Sequence, residues 1–64
     1  MSEKKMARAR ELAFEMDDFL TEKIVCLHEA SKVDNVALLS RQWTIMFRQK
    51  LYDLMDAGGI ERTR

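Results

Sequence analysis

Along most of this chain large apolar residues recur every three or four positions, the spacing that returns a side chain to the same face of an α-helix. One line runs through Met6, Ala9, Ala13, Met16, Leu20, Ile24 and Leu27, and Leu12, Phe19, Cys26 and Ala30 widen it on one side. A second line runs through Val36, Leu39, Trp43, Phe47, Leu51 and Leu54, with Met46 at its margin. The pattern predicts two amphipathic helices and places Trp43 in the core.

Proline is absent and the two glycines are adjacent near the end, so nothing between Ser2 and Ala57 forces a helix to break. The break is expected at "SKVDNVALL", where Asp34 can cap a new helix and Val33 and Leu38 have the spacing of a hydrophobic staple. The expectation is an all-α fold in one helical-hairpin domain over residues 1–64. It has a helix over about 3–31, a turn over about 32–34, a helix over about 35–57 and a short tail over 58–64. Gly58 is expected to take the left-handed conformation that closes the second helix. A connection this short folds the helices back antiparallel.

At 64 residues a single chain buries little surface, and the usual staples are missing. Cys26 is the only cysteine, which rules out an intramolecular disulfide, and His28 alone cannot complete a zinc site. Both apolar stripes are broader than one neighbouring helix can cover. The sequence therefore predicts a homodimer, two hairpins stacked as a four-helix bundle. Its core candidates are Met16, Phe19, Leu20, Ile24, Leu27, Leu39, Trp43, Phe47 and Leu54.

The stretch "WTIMF" over residues 43–47 is apolar nearly all round, which raises the question of what covers its far side. Leu38, Ile45 and Tyr52 recur every seven residues opposite Trp43, interleaved with Arg41, Arg48 and Gln49. Apolar residues at that interval with arginines beside them suit helix-to-helix docking, and Tyr and Arg are enriched at the energetic centres of interfaces. Scattered surface residues or the edge of an oligomer core would give the same pattern. Phe14 and Val25, eleven residues apart on nearly one line, form a smaller outlying pair, and Phe14 is a further anchor candidate. Charge is sorted too: Glu11, Glu15, Asp18, Glu22 and Glu29 line the first helix, while Arg41, Arg48 and Lys50 belong to the second. Antiparallel folding would bring the Asp18 to Glu22 region opposite Arg48 and Thr44.

No residue set suggests catalysis. Cys26 and His28 stand two apart, which on a helix sends them to different faces, and a buried structural cysteine is the plainer expectation. The acidic line lacks the Glu-x-x-His step of carboxylate-bridged metal bundles, since Val25 stands three residues before His28. Gly58-Gly59 follows a helix instead of leading into one, so it is no phosphate loop. Neither an enzyme, a cofactor nor a metal is expected. No run of about 18 apolar residues and no leader pattern is present, so a cytoplasmic protein without a membrane partner is expected.

Acids and bases balance at eleven each, which disfavours nucleic-acid binding by bulk charge. A local alternative exists in "EKKMARAR": antiparallel folding sets Lys4, Lys5, Arg8 and Arg10 beside Arg62 and Arg64. In architecture this form resembles the Rop family of small plasmid RNA-binding regulators, dimers of short helical hairpins, and the resemblance implies how such a form can hold RNA. The acidic middle of the first helix departs from an RNA-binding face along its length. A DNA-reading helix-turn-helix would need a third helix. The expected function is thus a non-enzymatic adaptor, inhibitor or regulator that pairs with itself through the core candidates and binds another protein through Leu38, Arg41, Ile45, Arg48, Tyr52 and Phe14. The alternatives are a nucleic-acid regulator using the basic end and a purely structural oligomerisation element.

Overall fold

A computed structural model describes residues 3–63. Helix α1 spans Glu3–Ala30 and helix α2 spans Asn35–Ala57, with no strand among the described residues. Helix α1 ends as Ser31 N–H donates to Leu27 O at 2.8 Å and the Ser31 hydroxyl to His28 O at 2.7 Å. Helix α2 begins where Asp34, in extended conformation, accepts a bond from Val36 N–H at 2.9 Å. That carboxylate satisfies one of the donors a helix start leaves unpaired. The staple beside it does not form. Val33 is 92% exposed, because the turn points it outward and away from Leu38.

The C-terminus of α2 corrects a second expectation. Gly58 stays right-handed at φ −86°, and Gly59 takes the left-handed conformation at φ 75°. Ile60 N–H then donates to Met55 O at 2.8 Å and Gly59 N–H to Asp56 O at 3.2 Å, the paired bonds of a Schellman motif. The motif turns the chain back, so that Ile60 is half-buried.

The helices lie antiparallel along a rod 47 × 16 × 16 Å. Tyr52 Oη donates to Asp17 Oδ1 at 2.6 Å, and Arg48 Nη1 donates to Thr21 Oγ1 at 3.2 Å, so one turn down α2 matches one turn up α1. From α1 the seam receives Met6, Ala9, Ala13, Leu20, Ile24 and Leu27, all half-buried. From α2 it receives Ala37, Thr44, Leu51 and Met55 along its centre, with Arg41, Ile45, Arg48 and Tyr52 beside them. Only Ala37 and Met55 are buried among the described residues. This largely reverses the predicted faces of α2: apart from Leu51, the line containing Trp43 lies outside the seam, while Ile45 and Tyr52 lie inside it. Small residues explain the choice. Ala37, Ser40 and Thr44 allow close approach of the two backbones, and Tyr52 and Arg48 find hydrogen-bond partners in Asp17 and Thr21 of α1.

Candidate protein-binding face

Helical periodicity fixes which residues share each side of the rod. The Tyr52–Asp17 and Arg48–Thr21 bonds mark one side. Roughly half a turn away from these residues on each helix stand Leu12, Met16 and Phe19 of α1 and Val36, Trp43, Phe47 and Leu54 of α2. In an antiparallel pair both sets project to the same side. They form one apolar face, with Leu39 and Met46 at its margin, and all nine are exposed. Trp43 is 58% exposed, Phe47 57% and Leu54 70%. The Trp43 and Phe47 rings pack on each other with centroids 6.1 Å apart, and Lys23 Nζ stands 5.4 Å from the centre of the Phe19 ring. Exposed aromatics in contact make a continuous surface, of the kind that marks an interface.

The predicted dimer-core residues divide accordingly. Leu20, Ile24 and Leu27 are half-buried in the seam of the hairpin itself, while Met16, Phe19, Leu39, Trp43, Phe47 and Leu54 lie on the open face. Leu12, Val36 and Met46 join the latter, a membership their place in the apolar stripes already signalled.

The predicted docking stripe is not on the far side of α2. Arg41, Ile45, Arg48 and Tyr52 are half-buried against α1, and Leu38 is exposed at the seam's edge. Arg48 and Arg62 flank the Tyr52 ring, their guanidinium carbons 5.9 and 5.2 Å from its centre. The bond to Asp17 raises the Tyr52 hydroxyl above its ordinary pKa, with burial and the nearby carboxylate charge acting in the same direction and the arginines opposing them. Arg41 brings a guanidinium into the seam whose buried Nε has no hydrogen-bond partner. Phe14 is half-buried with the Arg10 guanidinium 5.1 Å from its ring centre.

The basic end is only partly assembled. Arg10 Nη2 donates to Thr63 O at 3.2 Å, which draws the tail beside α1, and Arg62 pairs with Asp56 at 3.4 Å. Arg8 pairs with Glu11 at 3.1 Å and stands nearly half a turn around the helix from Arg10. Lys4 and Lys5 are exposed, and Arg64 falls outside the described residues. Cys26, expected to be buried, is exposed. Among the described residues no three His, Cys, Asp or Glu side chains converge as metal ligands, and no helix is long and apolar enough to cross a membrane.

Fold and face together define a small two-helix, all-α protein with one unpartnered apolar side. The chain matches no protein-family model, and no curated protein or solved structure is significantly similar to it.

Proposed function

We propose that this protein is a small non-enzymatic regulator or adaptor that works through protein–protein contact made by the Trp43 face, and that its resting form is a homodimer, two hairpins stacked on that face as a four-helix bundle. One observation carries the reading: the hairpin leaves its largest apolar side chains outside. Its accessible surface is 5147 Å² at 7.5 kDa, where a compact protein of that mass exposes about 4,200 Å². The excess, roughly 900 Å², is of the order each partner gives up in a stable interface, about 800 Å². Part of it belongs to the rod shape, and laying two rods side by side removes that part as well.

The dimer makes the apolar face both a store and a site. A client with a matching amphipathic helix would compete with the second copy for Trp43, Phe47 and Phe19, so binding and self-association share one surface. The nucleic-acid alternative has weaker support, since Arg8 and Arg62 are engaged by Glu11 and Asp56. A lone exposed thiol with no disulfide suits the reducing cytoplasm.

Sedimentation equilibrium on Trp43→Glu and Ile45→Glu, followed by circular dichroism, tests the reading. Trp43→Glu is expected to stay helical as a monomer while wild type is dimeric, because the charge falls in the contact between copies. Ile45→Glu is expected to lose helicity itself, because it places a carboxylate in the seam of the hairpin. A wild type that remains monomeric at high micromolar concentration, with helicity intact, would sink the homodimer.

A further inference from the structure

We infer that in the dimer α1 of one protomer packs over α2 of its partner, in a register already set inside each hairpin. This rests on the homodimer proposed above. Two hairpins can be stacked face to face about a two-fold axis in only two ways. An axis along the rod sets each α1 on the partner's α2. An axis across the rod sets α1 on α1 and α2 on α2.

Charge separates the two. Glu15, Glu22 and Glu29 follow one another at seven-residue intervals along the outer edge of the apolar face of α1, and all three are exposed. Exposed Lys50 stands on the corresponding edge of α2, next to Phe47 and Leu54 on the helical wheel. Stacking α1 on α1 about the level of Glu22 and Phe47 would bring Glu22 beside the partner's Glu22 and Glu15 beside the partner's Glu29, acid edge on acid edge. Stacking α1 on α2 instead sets each Lys50 near the glutamate edge of the partner's α1, twice per dimer, with Asp53 further out on the same side of α2.

An axis along the rod carries no translation. The levels fixed by Tyr52–Asp17 and Arg48–Thr21 therefore apply between protomers as well as within them. Lys50 comes level with the partner's Phe19, between its Glu15 and Glu22. Trp43 comes level with the partner's Cys26 and near its Ala30, so the largest side chain of the face meets two of the smallest. Alternation of large and small across facing positions is what lets two layers interdigitate. The other arrangement offers Trp43 no such gap, because it would lie against α2 of the partner at the level of Leu51.

The test links edge positions that no core contact needs. On a Cys26→Ser background, Glu22→Cys and Lys50→Cys proteins are prepared separately, checked by sedimentation equilibrium, and treated with a short bismaleimide alone and mixed. The expected result is dimers throughout, with a covalent dimer appearing in the mixture and neither protein linking to itself. Glu22→Cys linking to itself would overturn the pairing and leave the homodimer standing, as would dimers that never link in the mixture. Monomers in every sample would instead overturn the homodimer on which the inference rests.

Discussion

Tyr52 shows how one side chain can decide which face of a helix turns inward. Its ring provides apolar bulk for the seam, and its hydroxyl reaches Asp17 at 2.6 Å between two arginines. Removing the hydroxyl in Tyr52→Phe should cost about 1 kcal/mol, read from urea unfolding at neutral pH. The bond also gives stability a sign with pH. The hydroxyl's pKa is raised in the folded state, so its contribution is complete below the ordinary tyrosine value, about 10, and is lost as pH rises through the raised value. Wild type should accordingly weaken more steeply than Tyr52→Phe as pH rises above about 10; parallel curves would show that the bond contributes nothing. None of this pairing is legible in the sequence, where a tyrosine among arginines reads as an outward-facing hot spot.

Among the elements, the ends of the helices are set locally and were therefore readable, while their faces were not. Asp34 as a cap depends on residues two positions apart, and a paired glycine after an apolar stripe signals a stop. Choosing between Gly58 and Gly59 needed the backbone, because either can supply the left-handed residue. Gly59→Ala should cost about 1 kcal/mol through its positive φ alone, since a Cβ there meets no atom within 4 Å. Thermal unfolding would show this as a lower midpoint with unchanged helicity. Periodicity likewise showed two apolar stripes on α2, but not which of them α1 would take. That was decided by Ala37 and Thr44 permitting close approach, and by partners on α1 some thirty residues away in sequence.

For the whole molecule the outcome is a hairpin with almost no interior, in which only Ala37 and Met55 are buried among the described residues. Association would then provide most of the apolar burial, and folding would be coupled to concentration. The thermal midpoint of wild type should rise by several degrees per hundredfold increase in protein, whereas Trp43→Glu should unfold at one low midpoint at every concentration. A wild-type midpoint that ignores dilution would count against the coupling.

The position of the sole tryptophan has an optical consequence. Trp43 lies outside the seam that holds the hairpin together and on the exposed apolar face, so its fluorescence would respond to any chain that covered that face. Far-ultraviolet dichroism reports the helices, and the colour of the Trp43 emission reports whether a neighbour covers them. The protein carries its own indicator, and any molecule that settles on this face, a second copy or a client, shifts the emission to the blue.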